Sequence, residues 1–200
     1  MATDTLRERK KAQTRSALWN AAIELFVEYG FDNVSVAQIA AAAEVSKMTF
    51  FNYYPSKEDL VVGPLSEHIG DPAEIVRARA QDESPVDALH RHFLAGLAAR
   101  DPSTGLCDKP NILAVVGLVF ATPSLTQRAL TSFNAQAELL AAELGQDFRH
   151  RAAAAMIVGA RNALITENIN RLLAGATADE QYPTAVANAN QAFDLLRAGL

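Results

Sequence analysis

Residues 35–59 read SVAQIAAAAEVSKMTFFNYYPSKED, and three serines in that stretch decide the fold. Ser35 is an N-cap with Gln38 three residues on, the pairing of a capping box. Val34 and Ile39 stand where apolar side chains staple a helix entry. Ser46 caps a second start with Val45 and Phe50 as its apolar pair, and Ser56 caps a third with Asp59 at N3. Starts this close leave only about two turns for each helix. Helices that short are unstable alone in water, so packing on one another and on a neighbouring helix must hold them. Two such helices joined by the tight link Ala43-Glu44-Val45 make a helix-turn-helix, and Ala40, Ala41 and Ala42 allow close approach at the crossing.

Phe50, Phe51, Tyr53 and Tyr54 crowd into five positions of a chain that is 7% aromatic. Phe50 and Tyr54, four apart, share one helix face and are candidates for the core, looking toward Ile39 and the preceding helix. Phe51 and Tyr53 lie on other faces.

Working outward, residues 9–29 carry apolar residues at helical spacing (Ala17, Ala21, Leu25 and Leu18, Ala22, Phe26) and end at Gly30, so they predict a supporting helix. Beyond residue 60, Gly63-Pro64 is expected to interrupt the next helix early. A short helix is expected over Pro72–Gln81, and another from Ser84-Pro85 to about Arg100. Residues 101–105 (DPSTG) read as a loop. Asn111–Ala121 is apolar nearly all round and is expected to be buried. Further helices are expected from Thr122-Pro123 to near Gly145, from Asp147 to Ala174, and from Thr177, with Glu180, to near Ala198. The expectation is an all-α chain: a three-helix helix-turn-helix domain over residues 1–60, then a larger helical domain over residues 61–200.

Half of the 200 residues are hydrophobic, enough for a substantial core, and the single cysteine, Cys107, excludes an internal disulfide framework and fits a reducing cytoplasm. The longest apolar run, Ile112–Ala121, is about half of the roughly 20 residues that a membrane-spanning helix needs. The net charge of −5 argues against indiscriminate nucleic-acid binding, so any anion-binding face must be local. The N-terminus supplies Arg7, Arg9, Lys10, Lys11 and Arg15 against Asp4 and Glu8.

A helix-turn-helix offers its second helix to a major groove about 12 Å wide. Serine-capped starts leave backbone N–H groups that suit phosphate. Lys47 would stand at the exposed first position of that helix, Thr49 is small enough to meet a thymine methyl or a phosphate, and the Tyr53 hydroxyl and Lys57 could reach the backbone. A plain three-helix packing unit remains the alternative.

Residues 9–61 resemble the DNA-binding domain of the TetR family of transcriptional regulators. The likeness rests on A-x-x-L-F-x-x-x-G-F, S-V-x-x-I-A-x-x-A, V-S-x-x-T-F-F and Y-x-S-K-E-x-L in order and at family spacing. It implies that Ser35 and the start of its helix approach the DNA backbone, as the capped start at Ser46 also could, and that Ala37 offers a methyl contact. It places Lys47, Met48 and Thr49 at reading positions and Tyr53 and Lys57 at phosphate-clamping ones. Three positions depart from the family: Glu44 replaces a turn glycine, Phe51 a tyrosine whose hydroxyl would bond phosphate, and Met48 a small residue. The TFFNYYPSKEDL stretch is similar to the mycofactocin-regulator branch, which implies an acyl-CoA-like or other largely apolar effector.

The resemblance further implies a homodimer on a palindromic double-stranded operator, acting as a repressor that an unknown small-molecule effector releases. For the interface the small and apolar stripes Ala155, Gly159, Ala163 and Ala185, Ala189, Phe193 are candidates, unless they pack within one chain. His92 and Phe93, with Phe120, Asn134, Arg161 and Asn162, are candidates for the effector pocket, His92 alternatively being a satisfied core residue. A transcriptional activator of the same family, or a ligand-binding or interaction protein with a degenerate DNA-binding head, are the alternatives. For an enzyme there is little: His68, His90, His92 and His150 lack metal-ligand spacing, Cys107 lacks an evident partner, and no nucleophile elbow or phosphate-binding glycine loop occurs. Neither metal nor cofactor is expected, and the location expected is the cytoplasm.

Overall fold

α1 (Ala2–Tyr29) begins seven residues before the expected helix start at residue 9 and ends where Gly30 adopts φ 81°. Its buried face is Leu18, Ala21, Ala22, Ile23 and Phe26, while Arg7, Arg9, Lys10 and Lys11 are exposed. A single 3-10 turn, Phe31–Asn33, follows; Phe31 is buried with its ring centroid 4.8 Å from that of Phe26. The computed structural model describes residues 2–66, 70–145 and 147–199, so His68 lies outside the described residues. Among the described residues the elements are helical throughout.

All three serine starts are built as their spacing predicts. α2 (Val36–Ala42) opens with a complete capping box, Gln38 N–H donating to Ser35 Oγ at 3.3 Å and Ser35 N–H to Gln38 Oε1 at 2.9 Å. α3 (Lys47–Tyr53) opens with Thr49 N–H on Ser46 Oγ at 3.0 Å. α4 (Lys57–Ser66) opens with Asp59 N–H on Ser56 Oγ at 3.1 Å. Each cap satisfies one of the donors a helix start leaves open, worth about 1 kcal/mol. Val34, Ile39, Ala40, Phe50 and Leu60 are each 0–2% exposed, so the short helices are held by the core they share with α1.

Between α2 and α3 the chain turns on Glu44, whose φ of 55° lies in the left-handed region. A side chain there costs roughly 1–2 kcal/mol against a relaxed backbone. Glu44→Gly should therefore stabilise the protein by about 1 kcal/mol after the entropy glycine adds to the unfolded chain is subtracted from the upper end of that strain. A thermal melt should show a rise of about 2–4 °C; an unchanged or lower midpoint contradicts the strain.

The remaining helices are α5 (Asp71–Arg77), α6 (Pro85–Ala99), α7 (Pro110–Ala121), α8 (Pro123–Leu144), α9 (Phe148–Leu173) and α10 (Ala178–Gly199), with a 3-10 turn at Pro102–Thr104. Three expectations are corrected. The backbone stays helical through Gly63-Pro64 to Ser66. α5 stops at Arg77 rather than near Gln81; there the Arg79 guanidinium caps the Val76 carbonyl, Nη1 donating to Val76 O at 2.6 Å, and Nε bonds Glu83 O in the following turn at 3.1 Å. On α7 only Val115 and Val119 are buried, while Phe120 is 45% exposed.

The chain divides into two compact units, residues 1–64 with 114–128, and residues 65–113 with 129–200. Within the first, the Arg128 guanidinium donates to the carboxylate of Asp59 in the first turn of α4. The core of the second is built from Leu89, Phe93 and Leu97 on α6, Ile157, Val158 and Leu164 on α9, and Ala185, Ala189 and Phe193 on α10. Its loop after α6 is clamped to α9: Gly105 (φ 74°) lies against the Ile165 backbone, and Asn168 Nδ2 donates to Thr104 O at 2.9 Å in the buried interior.

Candidate nucleic-acid interface

α3 carries two opposed faces. Inward, Phe50 is fully buried and Tyr54 is 6% exposed, their ring centroids 5.9 Å apart. Outward, Lys47 and Ser46 are exposed, Met48 is 73% exposed and Phe51 47% exposed, with Thr49 and Tyr53 partly buried. The Thr49 hydroxyl lies 2.8 Å from Ser46 Oγ, so the cap holds it at the helix start. On the neighbouring helix start, Ser35 and Ala37 are exposed. Phe51 packs edge-on against Phe50, centroids 5.5 Å apart at 86°, which fixes an apolar ring where a phenol would offer a hydroxyl.

Lys57 is placed differently from a free clamp. Its Nζ donates to Phe31 O at 2.7 Å and to Val34 O at 3.1 Å, and lies 4.3 Å from the centroid of the Phe31 ring. An ammonium has three donors, so one remains for an outside acceptor. The lysine thus ties the first turn of α4 to the turn that launches α2. Together these segments wall an open cleft of about 480 Å³ whose lining includes Asn33, Ser35, Phe51, Pro55 and Lys57. The partnership of Lys57 with carbonyls 23 and 26 residues away, and of Asp59 with Arg128, carries no local sequence signal.

The other candidates scatter. Phe93 (1% exposed) and Arg161 (6% exposed) come together, the guanidinium 5.7 Å from the ring centroid. Asn162 is partly buried. His92 and Asn134 are exposed, and Phe120 belongs to the first unit. His92 sits one position off the buried row Leu89, Phe93, Leu97 and so turns to the surface. It is His90 that stacks on Phe193, centroids 4.7 Å apart. Of the two interface stripes, Ala155, Gly159 and Ala163 are exposed on α9, with nothing within 4 Å of a Cβ built on Gly159. Ala185, Ala189 and Phe193 are 0–1% exposed inside their own chain, because α10 packs that face on α6 and α9. They offer a partner no surface.

Two short, serine-capped helices packed on α1 around a buried Phe50, with Lys47, Met48 and Phe51 of the second turned outward, define a helix-turn-helix of the kind that enters a DNA groove. The chain belongs to the TetR family of bacterial regulatory proteins, whose family model matches residues 18–62. It is 34% identical over 155 residues to the HTH-type transcriptional regulator TcmR of Streptomyces glaucescens, the match spanning 73% of this chain and 69% of that protein. Over 61 residues it is 41% identical to MftR of Mycobacterium tuberculosis, named for regulation of mycofactocin biosynthesis. That match takes in 30% of this chain and 31% of that protein, too little to assign a branch. Among solved structures, NalD, the secondary repressor of the MexAB-OprM multidrug efflux pump in Pseudomonas aeruginosa, shares the fold. Its TM-score is 0.62 at 19% identity, over 90% of this chain and 97% of that one. The chain is accordingly a sequence-specific DNA-binding transcriptional regulator.

Proposed function

We propose that the chain is a homodimeric repressor whose two α3 helices enter successive major grooves of a palindromic operator, and that a small molecule bound in the unit of residues 65–113 and 129–200 releases it. The observation that carries the DNA half is the outward face of α3: exposed Lys47 and Met48 and half-buried Thr49 on its first turn, above a fully buried Phe50. First-turn side chains read bases, and the backbone N–H groups at the Ser35 and Ser46 starts, with Tyr53 and the remaining Lys57 donor, meet phosphates. Ala37 contributes a methyl and Phe51 an apolar contact. Dimerisation uses the exposed Ala155, Gly159 and Ala163 row of α9, where small residues allow a helix to approach closely. A regulator of chromosomal promoters works in the cytoplasm, and no catalysis is proposed for it. Among the described residues no single helix is long and apolar enough to cross a membrane, and no three His, Cys, Asp or Glu side chains are grouped to hold a metal.

A gel-shift titration on the DNA upstream of its own gene tests this. Lys47→Ala should weaken binding by about 1–3 kcal/mol, roughly 5- to 150-fold, and change site preference. Lys57→Ala should weaken binding on every sequence, with a salt slope smaller by up to about one. It should also lower the melting point, since it removes the tie to Phe31 and Val34. Unaltered binding in both variants excludes this docking of α3.

A further inference from the structure

Arg161 is a buried cation without adequate partners. It stands on α9 at 6% exposure, and its Nε and Nη1 are fully buried with no hydrogen-bond partner. The Phe93 ring, 5.7 Å away, favours the charge but accepts no conventional hydrogen bond. Desolvation pushes the guanidinium down to about 10 while the charge of Asp71 raises it, so it is still a cation at neutral pH. The neighbouring Asn162 also has a buried Oδ1 without a partner. Buried polar groups are nearly always hydrogen-bonded, and a buried charge left unpaired is among the least favourable arrangements a fold can keep. An arginine kept in this state suits a planar acceptor that arrives from outside, because its fork matches carboxylate and phosphate oxygens.

We propose that Arg161 is the anchor for an anionic group, a carboxylate or a phosphate monoester, on the effector, with Phe93 as the apolar surface beside it. The proposal rests on the reading of this unit as the effector-binding one. The anion would supply the acceptors that Nε and Nη1 lack, and Asp71 would be the counter-charge felt in the empty protein. Ligands without a negative charge would leave the guanidinium unsatisfied and so bind poorly.

The test uses the full chain and three small probes at matched ionic strength: benzoate, phenyl phosphate and the neutral benzamide. In a thermal melt, benzoate or phenyl phosphate should raise the wild-type midpoint by several degrees and benzamide should not. Whichever anion acts tells carboxylate from phosphate. Arg161→Met, unbranched and apolar, should melt about 2 °C or more above the wild type without ligand and respond to neither anion. Arg161→Lys, which keeps the charge but not the fork, should respond more weakly. A lower midpoint for Arg161→Met than for the wild type makes Arg161 a structural residue and overturns the proposal. So does an anion response equal in the two proteins, or absent from both. Operator binding, measured separately by gel shift, keeps the questions apart. Its loss from the wild type would sink the regulator reading, whereas intact binding with an Arg161-independent anion response sinks the anchor alone.

Discussion

Phe50→Ala should unfold the helix-turn-helix and abolish operator binding. The ring is fully buried on a helix of seven residues, Lys47–Tyr53, in contact with Phe51 and Tyr54. Removing a core phenylalanine costs about 3–5 kcal/mol through lost transfer energy and the cavity left behind. That is comparable with the whole stability of a small unit, roughly 5 kcal/mol at the low end. A two-turn helix cannot survive the loss, since its own propensity does not sustain it. Far-UV circular dichroism should lose part of its helical signal in a separate, earlier transition, and limited proteolysis should cut first within residues 35–56. Phe51→Ala, one residue on and 47% exposed, should leave stability almost unchanged. If the two variants melt alike, the inward and outward faces of α3 have been assigned wrongly.

Gly105→Ala should be the most damaging single-methyl change in the second unit. A Cβ there would stand 2.5 Å from the carbonyl oxygen of Ile165 and 3.2 Å from its carbonyl carbon and Cα. These are backbone atoms of α9, which cannot rotate away. The residue also has φ 74°, a conformation that a side chain strains by roughly 1 kcal/mol before any collision. Displacing the loop would further loosen the buried bond from Asn168 to Thr104, leaving an amide without its partner. The sum is about 3–5 kcal/mol, read as a lower denaturation midpoint in urea. Gly199→Ala makes the control: with open space around its position near the end of α10, it should leave the midpoint almost unchanged. A Gly105→Ala protein as stable as the wild type would mean that the loop does not rest on α9.

What could be read from the sequence follows the range of each signal. The serine starts at 35, 46 and 56 act on partners three residues away, so spacing alone located them, and the helices followed. Ser84-Pro85 and Thr177 with Glu180 were legible for the same reason. The left-handed turn at Glu44 was not legible from the residues themselves; only the resemblance, which puts a glycine at that position, hinted at it. Stripes are poorer guides. Ala155-Gly159-Ala163 and Ala185-Ala189-Phe193 look equivalent as sequence, yet one faces outward and the other fills its own core. A row of small residues fits a helix of the same chain as well as one from a partner. His92 shows the angular limit of such reasoning: one residue, about 100° of helix, separates it from the buried row. Nothing local announces that Lys57 serves Phe31 and Val34, that Asp59 meets Arg128, or that Arg161 is buried with nitrogens unmatched.

The return of residues 114–128 to the first unit limits how such a protein can be recombined. The chain passes between the two units at 64–65, at 113–114 and at 128–129. A fusion that borrows residues 1–64 as a portable DNA-reading cassette would leave behind the buried Val115, Val119 and Leu125, and strip Asp59 of its arginine. Grafting specificity from one regulator to another therefore calls for exchanging the α3 surface in place, side chain by side chain, rather than for a cut after α4. Heredity faces the same restriction: point substitution can retarget the head readily, whereas domain shuffling must carry two separate stretches of gene at once.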